Sequence, residues 1–403
     1  MHVPGWHKAT AEWQKQGKLQ MLGIIQEQHP NRCRLFMQWK KMNWPIMVDS
    51  LDLLEVSVVP ITLAIDEHGI IRHRLRRPNV KWLEENFLSK TYEGPPIAAE
   101  SRAAPPVMDT LRQQAQRKNT PEAWRKYADA LATWAPAKQL DEAIKSYDRA
   151  LSRVPNDGWT HFRLAVAYRK RFDSPYRKTD DFQKAVDQWA KALDIDPNNY
   201  IWRRRIQQYG PRLTKPYPFY DWVPQARKEV RARGEVPVKL AVEPGGAEFA
   251  RPQRHFQTTG AEQKEPDPKA RIIRDKRLIQ TEVTVVPPVI EPGRTARVHV
   301  VFRPNTQKKA HWNNESGRSV LWINPPAGWK VDDRLQTLPN APNAPKAVSR
   351  ETRTAEFEVK APDSAEAGTI ELPAYALYYV CEDAGGKCLY RRQDVSIKLR
   401  VGD

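Results

Sequence analysis

Two cysteines near the C-terminus, Cys381 and Cys388, stand at the two ends of the connection that runs from Glu382 to Lys387. Strand-like runs flank them, Tyr375 to Val380 before and Leu389-Tyr390 after. A tight hairpin at this point brings facing Cα atoms to about 4.5–5.5 Å, inside the range a disulfide spans. A dithiol held in this way has one kind of chemistry open to it. A thiolate exchanges with the disulfide of another protein, and the neighbouring thiol resolves the mixed disulfide. The same spacing also serves a static staple in an oxidising compartment, and spacing alone leaves both readings open. Tyr379 and Tyr390 flank the pair and limit access to it. The third cysteine, Cys33, falls on the apolar face of a helix beside Phe36 and Met37, where a small buried thiol is inert. His29 and His68 read as loop residues without an acid–base partner in sequence. No metal-ligand spacing is present, and no cofactor is called for.

The elements that position the pair are short β-rich runs at regular intervals, broken by Pro and Gly. They are Thr281 to Val286, Thr295 to Phe302, Ser319 to Ile323, Thr354 to Val359, Gly368 to Val380 and Leu389 to Val401. Such a series is the signature of a β-sandwich. Together with the cysteine hairpin, two stretches carry a resemblance: His311-Trp312-Asn313-Asn314-Glu315-Ser316-Gly317, and Pro325-Pro326-Ala327-Gly328-Trp329 after Trp322. Residues 278–403 resemble the amino-terminal domain of the thiol-disulfide interchange protein DsbD, an immunoglobulin-like sandwich. Three departures are His311 for the usual aromatic, Glu315 where Gly is commoner, and a cysteine loop one residue longer. The resemblance implies that Cys381 and Cys388 take electrons from a thioredoxin-like domain and pass them to extracytoplasmic partners.

At the other end, residues 1–92 read as helix, strand, helix, strand, hairpin, helix. Pro4 opens a helix carrying Trp6, Ala9 and Trp13. The apolar run in Lys18 to Gln26 reads as a central strand covered on both faces. Pro30 starts a second helix, Pro45 to Val48 is a short buried strand, and Val58 to Ile65 pairs with Ile70 to Arg74 across Asp66-Glu67-His68-Gly69. Asn79 to Leu88 closes the unit as an amphipathic helix. Val58-Val59-Pro60-Ile61-Thr62 and the Ile65 to Ile71 hairpin make this segment similar to thioredoxin-like thiol reductases of the extracytoplasmic type. The resemblance implies a cis peptide at Pro60 and a place for Val59 and Pro60 against a bound thiol substrate. The family's Cys-x-x-Cys would precede Met1, so the segment lacks the nucleophile that disulfide exchange requires.

Residues 119–230 carry a repeat. Trp124, Tyr127, Ala128 and Leu131 share one helix face, Ala143, Tyr147 and Ala150 the next, and Pro155 ends the unit. Phe162, Ala165 and Tyr168, then Ala185, Trp189 and Ala192, then Pro197 repeat the pattern, with Phe172 to Asp180 inserted between the helices. This resembles the tetratricopeptide repeat, with Tyr200 to Tyr209 as a capping helix and Tyr217 to Gly234 behind it. The resemblance implies a peptide or protein ligand, with Asn198, Arg203 and Lys170 as candidate lining residues; a rigid spacer is the alternative.

Residues 93–118 and 231–277, rich in Pro, Gly and charge, read as linkers, with a short strand at Val236 to Val242. At 403 residues the chain is expected to be multidomain. Its net charge of +18 is spread along its length rather than clustered, which speaks against a specific nucleic-acid site. No apolar run of about 18 residues is present to span a bilayer. The first residues lack a signal sequence. The expected location is cytoplasmic if Met1 is the true start, and periplasmic or otherwise extracytoplasmic if the start lies upstream. The whole reads as a thiol-disulfide exchange protein, or a fragment of one, acting on thiol or disulfide partner proteins. The alternative is a non-enzymatic repeat adaptor with a structural disulfide.

Overall fold

A computed structural model of the chain describes residues 3–56, 59–75, 80–94, 104–211, 222–242, 256, 263–314, 317–340, 348–382 and 386–402. Several residues named above therefore lie outside the described residues: Met1, Val58, Asn79, Tyr217, Glu315 and Ser316, with Asp383, Ala384 and Gly385 of the cysteine loop. The chain divides into two compact units. One holds Met1–Ala167, Ala192–Arg205 and Phe219–Pro244; the other holds Tyr168–Lys191, Ile206–Pro218 and Gly245–Asp403.

The first unit begins with α1 (Val3–Lys15), β1 (Gly23–Ile25), α2 (Asn31–Lys40), β2 (Ile46–Val48), β3 (Thr62–Ile65), β4 (Ile71–Leu75) and α3 (Val80–Leu83), which continues as a π-helical turn over Glu84–Leu88. Strands β1 and β2 pair in parallel, whereas β3 and β4 form a separate antiparallel hairpin. The apolar run read as a doubly covered central strand yields only the three residues of β1. Ile24 is 40% exposed and Met47 of β2 is 51% exposed. A strand is buried by what packs on it, and here β1 has a single hydrogen-bonded neighbour among the described residues. Trp6, Met42, Trp44, Ala64, Leu83 and Phe87 form a modest core beneath these elements.

Helices supply the rest of this unit: α4 (Met108–Lys118), α5 (Pro121–Trp134), α6 (Leu140–Leu151), the start of α7 (Gly158–Phe172), the end of α8 (Asp181–Ile195), α9 (Tyr200–Gln207) and α10 (Trp222–Ala232). Thr120 caps α5 by accepting from the Ala123 amide, and Pro121 sits at the first helical position. Trp124, Tyr127, Ala128 and Leu131 of α5 and Ala143, Tyr147 and Ala150 of α6 are all buried, as expected of small and aromatic residues on facing helices. The spans read as linkers contain α4, while Val236 to Val242 forms no strand.

Two buried arginines join these helices to the loops around β1 and β2. The Arg205 guanidinium donates to the Gln28 side chain at 2.8 Å, to the Ser50 carbonyl at 3.0 Å and to the Gln26 carbonyl at 2.5 Å. Arg163 donates to Asp129 at 2.8 Å and to the carbonyls of Leu51 and Asp52 at 3.3 and 3.4 Å. Asp129 also accepts from the Tyr147 hydroxyl at 2.7 Å. Buried cations persist where every donor finds an acceptor, and these do so largely on backbone carbonyls.

The second unit contains β5 (Ile279–Val286), β6 (Thr295–Pro304), β7 (Ala310–Trp312), β8 (Ser319–Ile323), β9 (Lys330–Val331), β10 (Leu335–Leu338), β11 (Arg353–Lys360), β12 (Gly368–Glu382) and β13 (Cys388–Val401). They form two antiparallel sheets, ordered β5-β6-β11-β9 and β10-β8-β12-β13, with β7 also pairing β12. One apolar cluster draws on both, including Val298, Val300, Phe302, Phe357 and Val359 from the first and Leu321, Leu372, Tyr378, Val380 and Ile397 from the second. Strands β7, β9 and β10 add to the six expected from sequence; at two to four residues each they carry too little pattern to be read.

The other face of the four-stranded sheet is polar and covered by helical residues of the same unit. His299 lies 2.7 Å through Nε2 from the Tyr209 carbonyl, with its ring centroid 5.3 Å from that of Phe182 and the planes tilted by 58°, while Gln183 accepts from the Val285 amide at 2.9 Å. Burial works against the charge of Glu356, but Arg297 and His299 hold its carboxyl well below the usual range. The end of the second span read as a linker is likewise tied to a sheet. The Tyr375 hydroxyl accepts from the Asp267 amide at 3.0 Å, Arg392 pairs with Asp267 at 3.0 Å, and Asp275 accepts from the Tyr378 hydroxyl at 2.8 Å. No helix among the described residues is long and apolar enough to cross a membrane.

Candidate functional site

Strand β12 carries the site because it is long enough to pair with β13 along one edge and with β8 and then β7 along the other. Side chains alternate faces along a strand. Leu372, Ala374, Ala376, Tyr378 and Val380 point into the shared core. Tyr375, Leu377, Tyr379 and Cys381 therefore occupy the opposite face of the five-stranded sheet. Trp322, Tyr375 and Leu377 form a small apolar cluster there, packed by Ile272 from the preceding segment.

At the end of the strand, Cys381 faces Cys388 in register, and the two are joined as a disulfide with Cα atoms 4.0 Å apart. One step back along the same face, Tyr379 faces Tyr390, with ring centroids 4.5 Å apart and planes tilted by 34°. The two tyrosines thus lie one step from the pair along the hairpin, and Tyr390 is 38% exposed. Burial and the neighbouring Tyr379 push the Tyr390 hydroxyl pKa up, so the Tyr390 ring stands as a neutral phenol at neutral pH. The loop after β7 runs alongside, since the Asn313 amide donates to the Tyr379 carbonyl at 3.1 Å.

The two cysteines are not equally exposed. Cys381 is 2% exposed, whereas Cys388 lies exposed at the start of β13. A thiolate attacking a disulfide approaches along the S–S axis, so attack at the exposed residue, Cys388, would send the bonding electron pair onto Cys381 as the leaving sulfur.

Cys381 has a second neighbour in register. On its other side it faces His311 of β7, which is 3% exposed. The sequence singled out His311 only as a departure from a family pattern. Its pairing depends on β7, a strand of three residues, and becomes visible only once the register is known.

The remaining site residues of the sequence reading lie elsewhere. Val59 and Pro60 belong to the first unit, are exposed, and are joined by a cis peptide. Cys33 is a free, half-buried thiol on α2, and burial together with the Glu27 carboxylate pushes its pKa up to about 11. A thiol so suppressed is a poor nucleophile at neutral pH. His29 and His68 lie outside helices and strands, and His68 Nε2 lies 3.0 Å from the Tyr92 carbonyl. Asn198 and Arg203 are exposed in the first unit, and Lys170 is half-buried in the second.

A cleft of about 390 Å³ opens on the same sheet face near Tyr375, lined by Glu265, Arg274, Arg392 and Asp394. Its charges pair with one another: Arg392 with Asp394 at 3.0 Å and Arg274 with Asp394 at 3.2 Å. Cys381 lies six positions further along the strand, roughly 20 Å at 3.4 Å per residue.

Compared with known families and with curated proteins, the sequence matches none. Among solved structures, a protein that catalyses macrocyclization in alchivemycin A biosynthesis aligns at 15% identity and TM-score 0.19, over 33% of this chain and 95% of that one. The bacterial hydrophobin BslA aligns at 12% identity and TM-score 0.15, over 31% and 95% respectively. The sporulation control protein Spo0M of Bacillus subtilis aligns at 11% identity and TM-score 0.15, over 31% and 50%. Likenesses this faint bear on neither fold nor function.

Proposed function

We propose that the chain is a thiol-disulfide exchange protein, or part of one, in which Cys381 and Cys388 are the exchanging pair. The observation that carries this reading is the asymmetry of the two sulfurs. Cys388 is exposed at the rim of the sheet and Cys381 is buried behind it, which is the arrangement of one sulfur to be attacked and one to leave. In this reading residues 278–403 are an immunoglobulin-like domain similar to the amino-terminal domain of DsbD, and the five- and four-stranded sheets about one core support it. Residues 119–230 are tetratricopeptide-like hairpins that hold a peptide or protein partner, and residues 1–92 are a thioredoxin-like module without its own cysteines. The partners are dithiol and disulfide proteins, and the location is extracytoplasmic, where disulfides persist.

A second reading has its own support: the disulfide ties β12 to β13 at the turn end of the longest hairpin. There it could serve as a staple in a non-enzymatic adaptor. Thiol trapping across a glutathione series separates the two. A pair that equilibrates with glutathione is an exchanging pair; one that stays oxidised below about −300 mV is structural.

A further inference from the structure

Cys381 is the middle member of a cross-strand row, with Cys388 facing it from β13 and His311 facing it from β7. Directly opposed residues of antiparallel strands stand on the same face with Cβ atoms about 4.5–5.5 Å apart. His311 is 3% exposed, and its Nδ1 is buried with no hydrogen-bond partner among the described residues. An unpaired buried polar nitrogen costs about 1–3 kcal/mol, and such groups call for an explanation. A disulfide has no hydrogen to give and is a weak acceptor, so the oxidised pair does little for that nitrogen. A Cys381 thiol or thiolate would satisfy it.

We propose that His311 is the hydrogen-bond-donating partner of the Cys381 sulfur, stabilising it as it leaves when the disulfide is reduced. This deepens the exchange reading given above and rests on it. In the first step a partner thiolate attacks Cys388 Sγ, a new S–S bond forms, and the Cys381–Cys388 bond breaks. Its electron pair goes to Cys381 Sγ, and the thiolate so formed accepts a hydrogen bond from the imidazole N–H and takes its proton from water. The partner's second thiol, deprotonated, then attacks the mixed disulfide and releases Cys388, which takes a proton from water. In sum, two electrons and two protons pass from a partner dithiol to the pair, and the partner leaves as a disulfide. The titratable and charged groups about the row among the described residues are Tyr379 and Glu382 on β12, Tyr390 and Arg391 on β13, and Lys387 of the connection. Arg350 joins them from the segment whose Ser349 bridges Trp312.

The test uses the full chain with His311→Phe, which restores an aromatic of similar size, and His311→Gln, which keeps a neutral N–H donor. Three readouts are taken: the equilibrium with glutathione, the ultraviolet thiolate absorbance of the reduced protein against pH, and circular dichroism as a check on folding. Expected for His311→Phe is a tenfold shift of the equilibrium toward the disulfide, about 30 mV for a two-electron couple, with thiolate appearing at higher pH. His311→Gln should fall between it and the parent. The proposal is overturned when both variants stay within twofold of the parent in the equilibrium and share its thiolate curve. Should the parent pair resist glutathione altogether, the exchange reading fails, while the thiolate titration after phosphine reduction still decides the role of His311.

Discussion

The first 75 residues and the last 125 or so of this chain are both built from β-strands and flanking segments, yet they bury themselves by different means. In the C-terminal region two sheets close over one continuous apolar cluster, and Trp312, Phe302, Phe357 and Tyr378 are at most 1% exposed. In the first region two separate two-stranded sheets leave apolar side chains in the open: Leu63 is 42% exposed, Ile65 51% and Ile71 57%. Two-stranded sheets are marginal alone. What fixes that region is its helical surround, through Arg163 and Arg205 on the carbonyls of residues 26 and 50–52. One region is held by its own core, the other by cations reaching in from elsewhere in its unit.

The sharpest way to break this contrast is a pair of substitutions followed by urea denaturation. Phe357→Ala empties a fully packed position and should cost about 3–5 kcal/mol. Ile65→Ser on the exposed side of β3 should stay within about 0.5 kcal/mol. An equally large loss at Ile65 would mean that the strand is covered in the native protein, and the contrast would disappear.

Arg205→Ala tests the other half. It leaves the carbonyls of Gln26 and Ser50 without their donor, and hydrogen bonds to a charged group contribute about 1.5–3 kcal/mol. A loss of about 3 kcal/mol is expected, with earlier hydrogen exchange around residues 23–52 and no change at β12. Uniform destabilisation across the chain would contradict it.

How much of this was legible in the sequence follows the same divide. Helices α5 and α6 and the long strands β5, β6, β11, β12 and β13 announce themselves because their own periodicity places one face inward. The run Leu19, Met21, Leu22, Ile24 and Ile25 misleads for the opposite reason. Apolar content states what a segment would gain from neighbours, not whether neighbours are present. Arg163 and Arg205 were not legible at all, since an arginine on a basic helix reads as solvent-facing until its acceptors, 112 and 155 residues away, are known. The cysteine hairpin was legible from local spacing, but the row that extends it to His311 needs long-range register, and β7 offers only three residues of pattern.

The smallest effect concerns the loop that both arginines grip. Asp52 is fully buried, sits at φ 52°, and accepts the Val56 amide through Oδ1 at 3.0 Å, while Oδ2 has no partner among the described residues. Burial pushes its carboxyl up to about 6 from 3.8, with Asp49 adding and the Val56 amide, Arg205 and Arg163 opposing. Below 3.8 the group is neutral both folded and unfolded, so it costs nothing. Between 3.8 and about 6 the unfolded chain ionises while the folded one does not, so stability falls as pH rises through that window and then levels off. Asn keeps the acceptor for Val56 and tolerates the left-handed backbone. Asp52→Asn should therefore stabilise the first unit by about 1–2 kcal/mol at pH 7, allowing for screening, and by almost nothing at pH 3.5. Parallel pH–stability curves for parent and variant would show instead that Arg163 and Arg205 already neutralise the buried carboxylate, making the cations that hold this region its charge partners as well as its anchors.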